Sequence, residues 1–302
     1  MRTRLLTGII GVVVTLTLVC APTPWTTVAL ATALALAALW EFYGAVRLSG
    51  GAPLEAFGFG AVVLLMLATT PALDPPAPPY LAGADPFPGP RSALLFQTGF
   101  TLLLTLSLAL ELARGDRAPL RNLAPTWLGA LYLGWLFTYP VRLRITGASL
   151  LRQADLLPER SPGGLAVDAG ALLLLFLLLL TWSADSFAYL VGRRWGRRRM
   201  APILSPAKTW EGLVGGWLAT VAIAGVVGTM GFGYPLGWAL VAGVVVGGVA
   251  PVGDLVKSSF KREVGIKDFG SLFPGHGGVL DRCDSLLLTA PALYFCLLLW
   301  PR

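Results

Sequence analysis

Apolar runs long enough to cross a bilayer recur along the 302 residues, separated by short polar or Pro/Gly-rich links. A spanning helix needs about 20 predominantly apolar residues. By that measure the pattern predicts helices near 5–21, 25–43, 54–73, 93–113, 122–139, 170–191, 212–231, 235–252 and 285–300. The expected fold class is an all-α polytopic membrane protein of about nine transmembrane helices. The clearest break is Asp74-Pro75-Pro76-Ala77-Pro78-Pro79 through Pro90, where proline removes donors and excludes a helix. Met1-Arg2-Thr3-Arg4 before the first run also has the outline of a signal peptide. The length of that run and its continuation through Pro22 and Pro24 favour a retained first helix. No internal repeat is visible, which removes the usual support for an inverted-repeat transporter.

Composition narrows this further. The chain is 55% hydrophobic and only 13% charged, with mean hydropathy +0.71, whereas soluble domains carry about 25% charged residues. No large soluble domain fits between the apolar runs. Cys20, Cys283 and Cys296 are odd in number and lie in or beside apolar segments, so neither a disulfide framework nor a zinc site is indicated. The net charge of +7 could suit nucleic acid, but its distribution fits anionic headgroups and membrane topology better. With the N-terminus inside, 17 basic residues fall in inner segments and 6 in outer ones, and an odd number of spans puts the C-terminus outside. The outer 140–169 loop runs against this pattern, with Arg142, Arg144, Arg152 and Arg160. Residues 1–170 are expected to form about five N-terminal helices of unassigned role. Residues 171–302 are expected to form a C-terminal catalytic membrane domain whose motif loops, 192–211 and 254–284, face the inner side. Glu41 and Glu111, at inner helix ends, read as interfacial.

The chemistry concentrates between Gly253 and Asp284. This stretch holds Asp254, Lys257, Lys261, Arg262, Glu263, Lys267, Asp268, Asp281, Arg282 and Asp284, with the single histidine, His276. Ionisable groups at membrane depth are read first as a functional site. On a helix, Asp254, Ser258 and Lys261 share a face at i, i+4 and i+7. Asp281 and Asp284 share another at i, i+3. Carboxylates from two helices suit a hard cation such as Mg²⁺, which takes oxygen ligands and bridges to phosphates. Asp254 and Asp281 are the expected ligands, with Asp284 supporting them. Lys261, Arg262 and Lys267 supply positive charge, and His276-Gly277-Gly278 offers a bend where backbone N–H groups can meet an anion. Pro251 and Gly253 are expected to break the eighth helix just before Asp254.

A second block precedes it. Thr181, Asp185 and Tyr189 make a polar stripe on one helix, and Ser205-Pro206-Ala207-Lys208-Thr209-Trp210-Glu211-Gly212 opens the next. Ser205 before Pro206 reads as an N-cap with proline at the first helical position. Such a start presents free N–H groups to phosphate. The chain uses 19 Arg but four Lys, namely Lys208, Lys257, Lys261 and Lys267, all within these two blocks. Lys257 stands one position off the Asp254/Ser258/Lys261 face and reads as a topological charge.

Ser258-x-Phe260-Lys261-Arg262, then Lys267-Asp268-x-Gly270-x-x-Phe273-Pro274-x-His276-Gly277-Gly278-Val279-x-Asp281-Arg282-x-Asp284, resembles the signature of the phosphatidate cytidylyltransferases. Asp185-Ser186-x-Ala188-Tyr189 and Ser205-Pro206-x-Lys208-Thr209 are similar to a pair that the family carries in this place. The likeness covers about 182–285, with Cys283 standing where the family has a larger apolar residue or Thr. It implies transfer of CMP from CTP to phosphatidic acid, giving CDP-diacylglycerol and pyrophosphate. The enzyme would lie in a bacterial inner membrane among membrane lipids, with its site facing the cytoplasm and no nucleic-acid partner. Asp254, Lys261 and Asp281 would be catalytic. Ser205, Lys208, Thr209, Ser258, Arg262, Lys267, Asp268, His276, Gly277, Gly278 and Arg282 would bind substrate, and Mg²⁺ or another divalent cation would be the cofactor. Oligomeric state stays open between monomer and homodimer. The rival readings are a cytidylyltransferase for another lipid phosphate, and a transporter using Asp185, Asp254 and Asp281 as an ion path. The Asp-Gly-x-x-Ala-Arg motif of the CDP-alcohol phosphatidyltransferases is absent.

Overall fold

Long apolar runs without internal polar alternation have one backbone solution in lipid, the helix, because every N–H and C=O must be satisfied within the segment. The computed structural model describes residues 2–70, 72, 89–115, 118–156, 168–272 and 277–300. Its helices are α1 (Arg2–Val19), α2 (Trp25–Leu48), α3 (Glu55–Thr69), α4 (Pro90–Arg114), α5 (Pro119–Gly129), α6 (Leu136–Gln153), α7 (Ala169–Trp195), α8 (Trp210–Met230), α9 (Leu236–Val264) and α10 (Leu280–Leu298). Every predicted run overlaps one of them. Among the described residues α2, α4, α7, α8 and α9 are long and apolar enough to cross a membrane, and α1 and α3 contain shorter apolar helices. The chain is an all-α, multi-pass membrane protein.

Helix α4 shows what solvent it is built for. It buries Ser92, Ser107 and Glu111 and exposes Leu94, Leu102, Leu106 and Leu112. In water this would be inside out. In lipid it is the expected arrangement, with polar groups turned to protein partners. Ser107 Oγ accepts from Trp127 Nε1 at 3.3 Å, and Glu111 accepts from Asn122 Nδ2. Glu111 is therefore a buried hydrogen-bonding residue rather than an interfacial one.

The chain divides into two units, each taken here by itself. The first comprises Met1–Leu18, Pro24–Arg142 and Glu263–Arg282. Its core includes Ala35, Ala38, Leu39, Tyr43, Val62, Leu65 and Leu133, all fully buried. Tyr43 donates to Thr126 O at 2.7 Å, and Thr126 Oγ1 accepts from Leu54 N at 2.8 Å. The second unit comprises Val19–Thr23, Leu143–Arg262 and Cys283–Arg302. Here α8 crosses α7 through Gly212 and Gly216, which face Ala188 and Ala184 backbone, and α9 meets α8 at Gly243 and Gly247. Small residues at four-residue spacing let helices approach closely.

Three local expectations are corrected. The outer 140–169 segment is not all loop: a π-helical turn, Ala130–Trp135, joins α5 to α6, which runs on to Gln153. Pro125 and Pro140 each lack a backbone donor and flank the irregular turn. Arg142 and Arg144, counted as exposed outer charges, are buried. The Arg142 guanidinium lies 5.1 Å from the ring centres of both Trp135 and Tyr139, and Arg144 pairs with Asp168 and donates to Ala21 O. Second, α9 does not break at Pro251 but continues to Val264. Third, Ser205 is not an N-cap. Arg199–Ala201 and Ser205–Thr209 form a two-stranded antiparallel hairpin, β1 and β2, with Arg199 opposite Thr209 and Ala201 opposite Ser205. Pro206 is tolerated because this ribbon has free edges. Helix α8 begins at Trp210, and its cap is Thr209, whose Oγ1 accepts from Gly212 N at 3.1 Å.

Candidate active site

In the second unit, α9 and α10 approach closely because Gly253 lacks a side chain: a Cβ there would collide with Asp284 O and the Ser285 Cα. That contact brings Asp254, on the next residue of α9, beside Asp284. Lys257, one turn further along α9, joins them. Its Nζ lies 2.8 Å from Asp254 Oδ1 and 2.5 Å from Asp284 Oδ2. Lys208, near the end of β2, reaches in from the hairpin to Asp254 Oδ2 at 2.7 Å and to Pro251 O at 3.3 Å. Asp185, on α7, accepts from Ser285 Oγ at 3.3 Å and is within electrostatic reach of Asp254, Lys208 and Lys257. Deeper along the same helices Thr181 and Thr289 share a hydrogen bond of 2.9 Å.

The result is an alternating chain of charge: Lys208, Asp254, Lys257, Asp284. Lys257 and Asp284 are buried, whereas Asp254 and Lys208 keep about a quarter of their side-chain surface open. A buried charge must be paired, and here each pair hands on to the next. The donor set toward any cation is all carboxylate oxygen, which fits a hard divalent ion. An ammonium already lies between Asp254 and Asp284, so these two oxygens converge on a position where a cation is held. Among the described residues no three carboxylate, histidine or cysteine side chains converge as a ready metal cage. Magnesium does not require one, since one or two carboxylates with water and phosphate oxygens complete its shell.

The first unit holds a different arrangement. Glu41 of α2, an apolar helix elsewhere, is buried, and its two carboxylate oxygens accept from Val279 N and Leu280 N, each at 3.0 Å. Asp281 Oδ2 accepts from Gly278 N at 3.2 Å and Phe269 N at 3.0 Å. Gly277 bends the chain into this turn with φ of +82°, where a Cβ is disfavoured. The Gly278 N–H, expected to be open to an anion, is thus engaged by Asp281.

A family model described as the cytidylyltransferase family matches residues 2–300. The chain belongs to the cytidylyltransferase family. It is 30% identical over 305 residues to a phosphatidate cytidylyltransferase of Synechocystis, covering 98% of this chain and 96% of that one. It is 44% identical over 127 residues to the phosphatidate cytidylyltransferase of Haemophilus influenzae, 40% of this chain and 44% of that protein. An uncharacterized protein of Escherichia coli, YnbB, is 40% identical over 168 residues, 56% and 53% of the two chains. The chain thus spans about half the length of those last two relatives.

Of the residues singled out in this cytidylyltransferase sequence, Lys208, Asp254 and Asp284 are brought together. Ser258 is buried on α9 beside Lys257. Arg262 donates from Nε to Leu204 O at 3.2 Å, tying α9 to the hairpin turn. Ser205 and Thr209 lie on β2, with the Thr209 hydroxyl engaged in its cap. Lys261 is half-buried on α9, while Lys267, Asp268 and Arg282 are exposed. Asp281 stands one turn before Asp284 on α10. His276 lies outside the described residues. Three residues were missed. Lys257 was set aside as off the face, yet on a helix both i+3, about 60° away, and i+4, about 40° away, are neighbours of Asp254. Asp185 was read as part of a stripe and a motif, and as an ion-path residue only in the rival transporter reading, but was left out of the enzyme site. Glu41 was placed at an interface, because nothing local marks its partner.

Proposed function

We propose that this chain transfers CMP from CTP to phosphatidic acid, releasing pyrophosphate and forming CDP-diacylglycerol. The observation that carries the reading is the Lys208–Asp254–Lys257–Asp284 chain of charge, built on motifs that resemble the phosphatidate enzymes. The full-length match to a relative of that name supports it.

A phosphate oxygen of phosphatidate attacks the α-phosphorus of CTP, and the bond from that phosphorus to the bridging oxygen breaks, with pyrophosphate taking the electron pair. The nucleophile is already anionic, so no strong general base is needed. What the step needs is fixed positive charge around crowded phosphates. Lys208 and Lys257 supply it from inside the cluster. Lys261, Arg262, Lys267, Asp268, His276, Gly277 and Arg282, with Ser205, Thr209 and Ser258, are the residues that the motifs assign to the nucleotide and lipid phosphates. A divalent cation, when bound, neutralises phosphate oxygens further. Asp254 and Asp284 would hold it, and Asp281 remains an expected ligand from its place on the same face of α10.

The enzyme is proposed to cross the bacterial inner membrane nine times, with the N-terminus and the site on the cytoplasmic side and the C-terminus outside. Removing buried Arg142 and Arg144 from the outer charge count strengthens that orientation. A cysteine replacing Ala201 in a Cys-free background should stay unlabelled by an impermeant thiol reagent in intact cells, while one at Gly83 should react. Residue 83 lies outside the described residues. The reverse pattern would turn the site away from cytosolic CTP. The activity itself is tested with purified protein, CTP and phosphatidate, with and without Mg²⁺. Metal-dependent pyrophosphate release that requires phosphatidate is the expected result. Release supported equally by an unrelated lipid phosphate would transfer the reading to another substrate.

A further inference from the structure

The N-terminal helices have so far had no part in the chemistry, but one of their residues reaches the motif. Glu41 lies in the interior of α2, where an ionisable side chain is disfavoured unless it has a defined partner. Its partners are backbone. The start of a helix leaves its first N–H groups without intrahelical acceptors, and a negative charge there is favoured by the helix dipole. At α10 those groups are Val279 N and Leu280 N, and both are taken by Glu41. Asp281 takes the preceding one, Gly278 N, so three successive donors are closed by two carboxylates.

The loop is shaped around the Glu41 carboxylate. A Cβ at Gly270 or at Gly278 would overlap it. Two glycines of the motif therefore pack against one side chain that comes from far away in the chain. A helix cap of convenience does not need such a seat.

We infer that Glu41 is a positioning residue: it fixes the first turn of α10, and with it the placement of Asp281. This rests on the proposed reaction only for its kinetic readout. The hydrogen bonds of the Glu41 carboxylate go to backbone N–H groups, so it acts through the backbone it holds.

The test uses full-length purified protein carrying Glu41→Ala or Glu41→Gln. Loosening by about an ångström at a reacting centre is worth on the order of 10²-fold in rate. The expected result for Glu41→Ala is that kcat falls by about that factor, while KM for CTP stays within about threefold, the pattern of lost transition-state geometry rather than lost binding. Amide hydrogen exchange should accelerate in peptides covering 277–284 and stay unchanged in α7 and α8. Gly270→Ala should be damaging beside Glu41 and should add little once Glu41→Ala has made room, because contacting residues are non-additive. If Glu41→Ala does not insert, Glu41→Gln, which keeps the volume and one acceptor oxygen, carries the same measurements with a smaller effect. Unchanged exchange at 277–284, or additive effects with Gly270→Ala, overturns the inference. A raised KM with intact kcat also overturns it, by putting Glu41 on the substrate. Should the wild-type protein turn over no CTP, the proposed reaction fails, while exchange and the Gly270 pairing, read by thermal stability, still decide the role of Glu41.

Discussion

Two pairs of carboxylates in this protein are held in different ways. Asp254 and Asp284 are held by lysine ammonium groups, whereas Glu41 and Asp281 are held by backbone N–H groups. An ammonium on a flexible stem is a cation that another cation can displace, so the first pair is available for chemistry with phosphates and metal. A backbone amide cannot leave without unfolding the turn it belongs to. The second pair gives the turn before α10 its shape. Both satisfy the same electrostatic demand that a buried charge have a partner, but only one leaves the partner exchangeable.

The sharpest way to break this contrast is to remove charge from each kind. Asp254→Asn and Asp284→Asn should each lower turnover by about 10³-fold or more while the protein still inserts, since charge stabilised only in the transition state is lost. Neither should alter amide exchange at Phe269 or Gly278. Asp281→Asn should lower turnover by about 10²-fold and also accelerate exchange at those two amides. If Asp254→Asn loosens them equally, the two kinds of carboxylate are one.

A smaller effect separates the lysines. Lys257→Arg keeps the charge but forces a planar head into a buried gap between two carboxylates, and should cost about 10²-fold in kcat. Lys261→Arg, half-buried one turn on, should cost about tenfold or less. Equal tolerance would mean that the Lys257 bridge has no part in turnover.

Smallest are the elements that only bring the pairs into register. Gly253→Ala should lower stability by about 1–3 kcal/mol through overpacking against α10. Thr209→Ala should lower it by about 1 kcal/mol through loss of the α8 cap. Both are read by thermal unfolding in one detergent. A Gly253→Ala variant as stable as wild type would show that the α9–α10 approach is not set by that glycine.

The helices were legible because lipid leaves a single way to satisfy the backbone, and their apolar runs announce it. Lys208 and Asp254 were legible as members of one site because two separate motifs carried charge into an apolar chain, but their ion pair was not. Other features were hidden for physical reasons. The extension of α6 to Gln153 was obscured because Arg142, Arg144 and Arg152 look like loop charges until Trp135, Tyr139 and Asp168 are seen to accept two of them. The β hairpin was masked by Ser205-Pro206, which fits a helix start as well as an edge strand. Continuation of α9 across Pro251 was hidden because Pro251 and Gly253 read locally as a helix break. Glu41 was illegible in principle, since its partners are amides, which every residue carries and no side chain advertises.

The bonds between Glu41 and the start of α10 join residues 238 and 239 positions apart. At about 5–20 residues per second of synthesis, α2 waits on the order of 10–50 s for the segment that answers its carboxylate. Throughout that interval a half-made chain carries an unanswered acid in an otherwise greasy helix. Its insertion therefore has to tolerate a polar defect that only the late arrival of α10 repairs, and an interrupted translation product would keep that defect for good.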